Sequence, residues 1–443
     1  MKRILKRIAG RLEKNPIEEC AKIQRKYIPD LNRFLSETKD PRDVRYITYT
    51  NRTLLGQMVY KGVSGIVSMQ EMTRQFNNDE AVANIYSLID EKAKEMLPHH
   101  VTSNEYLERL DPEEVRKILH QIVYDCIRRK TFDDARYKKR WIIIIDGTQK
   151  YSGERKINDK CLERHYNKGT ENESINYHED VLEAKIYLGE GLLLSIGSEF
   201  IQNDPENGIK YADMTDEEAK QDCEQKAFKR LAEKLHKEYP RLPMVLLMDS
   251  LFASEPVIKK SEDYGWKYII RYKEGSIPTI SQEFDAIPDK NTSGHATYVN
   301  EIDYRGFKVN MLKTYEDRVL KKGVEKRIEF SFLTNIELTD KNVEKVAMVG
   351  RRRWKIENEG FNRQKNWSGN ITHACSWDSN ALKNHYLIYQ ISDFIRQLYE
   401  WFYLKKNGIE KTHKKISSDL LYALTKQEVK REDIYTVEGI AFC

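Results

Sequence analysis

Four consecutive isoleucines run into an acid at Trp141-Ile142-Ile143-Ile144-Ile145-Asp146. A short apolar run without polar alternation describes a strand buried on both faces, and β-branched residues favour that extended state. Asp146 sits where this strand is expected to end. The same pattern recurs at Met244-Val245-Leu246-Leu247-Met248, again closed by an acid, Asp249. Two such strands need helices above and below them.

The segments between and after them fit that demand. Residues 181–188 alternate, with Leu182, Ala184, Ile186 and Leu188 facing one way and Glu183, Lys185 and Tyr187 the other. Gly189-Glu190-Gly191 reads as a turn, and residues 192–200 return as the next strand. A helix follows from about residue 217 to 239, with Ala227, Leu231 and Leu235 at helical spacing. After Asp249, residues 255–264 read as a short helix and 266–272 as a strand. Residues 276–340 look inserted: 298–304 and 307–315 flank Arg305-Gly306 as a hairpin, and 327–334 is another strand. The order is that of an α/β mixed sheet flanked by helices.

Residues 1–135 read as mainly helical. Ser68-Met69-Gln70-Glu71 is a capping box opening a short helix to Phe76. Asp111-Pro112 starts another, with Val115, Ile118, Leu119, Ile122 and Val123 as its apolar face. The basic stretches 2–14 and 128–140 give this region cationic ends, which suits a DNA reader as well as a structural helical cap. Near the C-terminus, Leu387, Ile391, Phe394, Ile395, Leu398 and Phe402 form an apolar helical stripe expected to pack on the sheet, with a dimer contact as the alternative. The expected division is therefore 1–135 helical and DNA-binding, 136–275 first part of a catalytic core, 276–340 β-rich insertion, 341–403 last part of the core with its helix, and 404–443 tail.

Bulk properties exclude several classes. With 443 residues and a net charge of +5, overall charge does not itself establish nucleic-acid binding. The six cysteines are scattered without a CxxC pair, which argues against a disulfide framework or a thiolate zinc site and suits a reducing cytoplasm. His165 and His178 with Cys161 match no zinc spacing and are read as structural, as are Glu154, Asp159 and Glu199. No apolar run is long enough to span a bilayer, and Ile4, Leu5, Ile8 and Leu12 are interrupted by charges as in an amphipathic helix.

The stretch from Arg351 to Lys365 carries the chemistry. Read as one helix, it sets Arg353 one turn before Glu357, with Trp354 and Phe361 on a separate apolar stripe. Taken alone it fits an ordinary solvated helix. Laid across the ends of the two acid-terminated strands, Glu357 can join Asp146 and Asp249. Three carboxylates without a His or Cys partner are hard oxygen ligands suited to Mg²⁺ or Mn²⁺, and without metal at least one carboxyl pKa should rise. Arg351, Arg352, Arg353 and Lys365 are candidates for DNA phosphates, and Trp367 for an exposed aromatic near DNA, whereas Trp354 is expected in the core.

Ile145-Asp146-Gly147-Thr148, Met248-Asp249-Ser250 and Arg353-Trp354-Lys355-Ile356-Glu357 resemble the three catalytic blocks of DDE transposases of bacterial insertion sequences, most closely the superfamily named for insertion sequence four. The resemblance spans residues 140–400. It implies a ribonuclease-H-like catalytic domain, Asp146, Asp249 and Glu357 as catalytic metal-binding acids, and two Mg²⁺ or Mn²⁺ ions per active site. It also implies double-stranded DNA as partner (element ends and target), a homodimer in the DNA complex, and action in a bacterial cytoplasm on the nucleoid. The family's last block has a tyrosine three residues before the arginine and a lysine seven after the glutamate. Gly350 and Gln364 stand at those positions, with Lys365 one residue late. These departures remove support for the DNA-hairpin intermediate known in some relatives. The alternatives are a metal-dependent nuclease of the same fold and a domesticated, non-catalytic DNA-binding descendant.

Overall fold

The computed structural model describes residues 14–189, 191–203, 222–319 and 325–435. The amphipathic basic stretch 1–13, Glu190 of the expected turn and the first residues of the helix expected from 217 lie outside them. The chain divides into two compact units: residues 1–131, 150–178 and 361–443 form one, and residues 132–149 and 179–360 the other.

The first unit is helical. Its elements are α1 (Pro16–Tyr27), α2 (Leu31–Glu37), α3 (Asn51–Val63), α4 (Met69–Phe76), α5 (Asp79–Leu88), α6 (His100–Arg109) and α7 (Pro112–Arg128). Both predicted starts are present. The Ser68 hydroxyl accepts from Glu71 N at 3.0 Å, and Asp111 accepts from Glu113 N at 3.0 Å ahead of Pro112. The expected apolar face of α7 is buried from Val115 to Val123.

The late apolar stripe does not pack on the sheet. Its residues from Leu387 to Leu398 belong to a 21-residue helix, Ser379–Tyr399, which lies against α1, α3, α6 and α7, and Phe402 lies in the π-turn Glu400–Leu404 that follows. That helix buries Asn384, Gln390, Asp393, Arg396 and Gln397 as well as its leucines and isoleucines. A helix covered on all sides is the core of a bundle rather than a one-faced lid on a sheet.

The second unit is built on the expected mixed sheet flanked by helices. β1 (Trp141–Gly153) is followed by β2 (Leu162–Tyr166), β3 (Ser174–Gly189) and β4 (Leu192–Ile201). Then come α8 (Glu224–Glu238), β5 (Met244–Met248), α9 (Glu255–Asp263) and β6 (Lys267–Tyr272). Within this unit the strand order is β4-β3-β1-β5-β6, with β1, β5 and β6 mutually parallel and β4 antiparallel to β3. The isoleucines at 142–145 and all of β5 are fully buried, as unalternating central parallel strands should be. α8 packs on β4, and α9 on α8 and β6. β2 pairs with the first residues of β3, 174–178, inside the helical unit.

The inserted segment extends the same sheet. After α10 (Pro278–Ala286) come β7 (Asn291–Ser293), β8 (Ala296–Tyr304), β9 (Phe307–Val319) and β10 (Glu325–Thr334), with β10 joined antiparallel to β6. The hairpin expected at Arg305-Gly306 is there: both residues have positive φ, 51° and 84°, the signature of the primed turn that matches strand twist.

One sequence expectation fails here. The first strand does not end at Asp146 but continues to Gly153; only its fully buried run stops there. Both faces of β3 are covered, leaving Glu183 and Lys185 0% and 1% exposed. Ser198 donates to Glu183 at 2.7 Å, so the buried charge is met by a neighbouring strand. Among the described residues no helix is long and apolar enough to cross a membrane.

Candidate active site

Parallel pairing sets the two aspartates level. Ile144 lies opposite Leu247, so two further residues on each strand bring Asp146 beside Asp249. Asp249 leaves β5 directly and caps a one-turn helix, Ser250–Phe252, through an acceptor bond from Leu251 N at 2.9 Å. Asp146 takes Gly147 N at 3.1 Å on one oxygen and Arg353 Nη1 at 2.7 Å on the other.

The stretch that supplies Arg353 is not one α-helix. α11 (Val343–Arg351) ends in a turn at 352–353, and Ile356–Phe361 is wound as a π-helix before α12 (Asn362–Asn366). π-turns are rare and concentrate at functional sites. This winding turns Glu357 outward: it is exposed and makes no hydrogen bond or ion pair among the described residues. Glu359 is engaged instead, with Lys355 Nζ at 2.5 Å and Gly191 N at 3.0 Å. The same winding overturns the expected stripe: Phe361 is fully buried while Trp354 is 52% exposed.

The acids feel one another. Burial, with the charges of Asp249 and Glu357 behind it, pushes the Asp146 carboxyl up to about 6, against the opposing pull of Arg353. A fourth acid, absent from the sequence reading, stands with them. Glu224 opens α8, and burial followed by the charges of Asp146 and Asp249 pushes its carboxyl up to about 7. The sequence pattern started that helix near residue 217, which hid Glu224 in its interior; in the structure residues 222–223 are not helical and Glu224 begins the first turn.

A raised carboxyl pKa has a defined stability signature. The folded Asp146 value lies above the unfolded one, so its penalty is absent below about pH 4, grows to about pH 6 and is full above that. Asp146→Asn should therefore stabilise the protein in chelator at pH 7–8 by on the order of 2 kcal/mol, with no gain at pH 4. Thermal unfolding midpoints of both proteins across that range check this. A constant difference at every pH would assign the effect to packing.

The basic candidates have mixed fates. Arg351 pairs with Glu316 and lies over the Phe330 ring at 4.7 Å, Arg352 lies over Tyr187 at 5.0 Å, and Arg353 is held by Asp146. Lys365 and Trp367 belong to the helical unit, where Trp367 is 44% exposed and stacks on His413 at 5.2 Å. Gly350, at the family's tyrosine position, is packed so closely that an added Cβ would stand 2.8 Å from Ile269 and from Phe332. Gln364, at the lysine position, is buried and donates to Gln390 at 2.9 Å and Asp393 at 2.8 Å. Neither departure is a neutral gap: Gly350 has no room for a side chain, and Gln364 is held by its hydrogen bonds.

Residues 218–389 match the family described as the transposase DDE domain. The matched span holds Asp249 and Glu357 and covers less than half of the chain. Among solved structures the chain is similar to the piggyBac transposase synaptic complex with hairpin DNA, at TM-score 0.42 and 11% identity, over 92% of this chain and 79% of that one. No curated protein matches the chain.

The donor set fits a hard divalent cation, being carboxylate throughout. Among the described residues, no group of three or more Asp, Glu, His or Cys side chains stands ready to hold a metal ion. Arg353 occupies one oxygen of Asp146, and Glu357 is turned to solvent.

Proposed function

We propose that this protein is a DNA transposase that cleaves and joins DNA strands at the ends of an insertion sequence, related to the superfamily of insertion sequence four. The observation that carries the reading is the juxtaposition of Asp146 and Asp249 on adjacent parallel strands, with Glu357 close enough to raise the Asp146 carboxyl. The strand order β4-β3-β1-β5-β6 supports a ribonuclease-H-like core, and the family match over residues 218–389 supports the reaction class.

In this reading Asp146, Asp249 and Glu357 would hold Mg²⁺ or Mn²⁺, two ions per site, which would supply activation of a water or 3′-hydroxyl and stabilisation of the leaving oxygen of a phosphodiester. Arg353, which pairs with Asp146 at 2.7 Å, is proposed to contact a DNA phosphate beside the acids. Arg351, Arg352, Lys365 and Trp367 are proposed to contact DNA. Joining two ends calls for two active sites, hence a homodimer on DNA.

Asp146→Asn and Asp249→Asn should abolish cleavage of DNA carrying the sequences that flank the gene, and chelator should do the same to the wild type. End binding should persist in both variants and weaken steeply with salt, because phosphate contacts supply it. Cleavage that survives chelator would overturn the metal-dependent reading. Cleavage without joined products under any condition would favour the nuclease alternative.

A further inference from the structure

We propose that Glu224 is a fourth carboxylate of the site formed by Asp146 and Asp249, acting on the divalent cation held there; this rests on the reading above. Three geometric features carry it. The first is the seat of the side chain. A Cβ built on Gly147 would stand 2.1 Å from Glu224 Oε1 and 2.7 Å from its Cδ, so the carboxylate fills the space over the residue next to Asp146. Only glycine leaves room for it there.

The second is how the first turn of α8 is held. Gln225, the next residue, donates to Leu251 O at 3.0 Å, within the turn that Asp249 caps. One helical turn on, the Phe228 ring packs near the Phe252 ring at 5.8 Å. The N-terminal turn of α8 is thus attached to the Asp249 loop while Glu224 reaches the Asp146 strand. An acid is not needed to make either attachment.

The third is an orphaned polar atom. Thr148 is 5% exposed, and its hydroxyl has no hydrogen-bond partner among the described residues. Two residues beyond Asp146 on β1, it lies on the same face of that strand. A buried hydroxyl without a partner is costly unless something else satisfies it. A hydrated cation among Asp146, Asp249 and Glu224 supplies both the charge that four crowded acids lack and a water to meet the hydroxyl.

Mn²⁺ binding to the full chain, measured by calorimetry, tests the assignment together with thermal unfolding in chelator and in Mg²⁺. Glu224→Gln should weaken Mn²⁺ binding by about tenfold or more and shrink the Mg²⁺-induced rise in Tm. Its Tm in chelator should not fall, because the amide relieves repulsion among the acids. A merely structural acid at a helix start gives the opposite pattern: Tm in chelator falls and Mn²⁺ binding is unchanged, which would overturn the proposal. Glu224→Asp, which keeps the charge, should retain most of the affinity and covers the case in which the amide variant does not fold; loss of binding equal to that of Asp146→Asn would then count against a supporting role. Asp146→Asn is run alongside. If it loses Mn²⁺ and Glu224→Gln does not, only the Glu224 assignment fails; if neither loses it, the metal reading of the whole site fails.

Discussion

Glu357→Gln is expected to eliminate strand cleavage, by about a thousandfold or more, while Glu359→Gln should leave it readily measurable. The two glutamates are two residues apart and point to different sides of the π-turn. Glu359 is committed to the protein, through Lys355 and the backbone N–H of Gly191. Its amide replacement keeps an oxygen for Gly191 and loses only a surface pair, worth about 0.3–0.5 kcal/mol. Glu357 has no such commitment, yet its charge reaches Asp146. On the proposed reading, an exposed acid that adds repulsion to a crowded site is the one free to take a cation. Cleavage of end-labelled DNA by the two variants, at matched unfolding midpoints, decides between them. A dead Glu359→Gln beside an active Glu357→Gln would mean that the helix approaches the site from its other face.

What the sequence made legible was local. Four isoleucines, the capping box at Ser68, the Asp111-Pro112 start and the Arg305-Gly306 turn each fix structure within a few residues, and each is present as read. Asp249 was legible for the same reason, since an acid just past a buried strand has nowhere to go but the strand end. What failed depended on partners far along the chain. The periodicity of residues 351–365 could not reveal a π-turn, because an i→i+5 bond is chosen by packing on both sides of it. That Glu183 and Lys185 are buried was not legible, because alternation reports which residues share a face, not whether the second face is covered. Glu224 left no local trace at all. It becomes a site residue only when α8 is laid across the strand ends, with Gly147 the sole hint that something approaches β1 closely.

Arg363→Ala should destabilise the helical unit by about 3–5 kcal/mol. Arg363 is 7% exposed and donates through Nε to Asp393 at 2.8 Å and through both terminal nitrogens to Glu400, at 2.5 and 3.0 Å. Asp393 is fully buried, and it also accepts from Gln364 and Gln397. Removing the guanidinium leaves two carboxylates in the core of the bundle. Arg396 still reaches Glu400 at 3.0 Å, whereas Asp393 is left with the neutral donors Gln364, Ser368 and Gln397. Burial alone would raise the Glu400 carboxyl; Arg363 and the other donors override it and hold it well below the usual carboxylate range. The folded value is depressed, so this stabilisation is present above the ordinary carboxyl pKa near 4.5 and is lost as pH falls through the folded value. The gap between wild type and Arg363→Ala, read from denaturant unfolding, should therefore be widest near neutral pH and narrow under strongly acid conditions. Pairing Arg363→Met with Asp393→Leu should recover part of the loss, since an apolar pair of similar bulk removes the unmet charge with its partner. No recovery in that double variant would mean that Asp393 serves its glutamine neighbours more than the arginine.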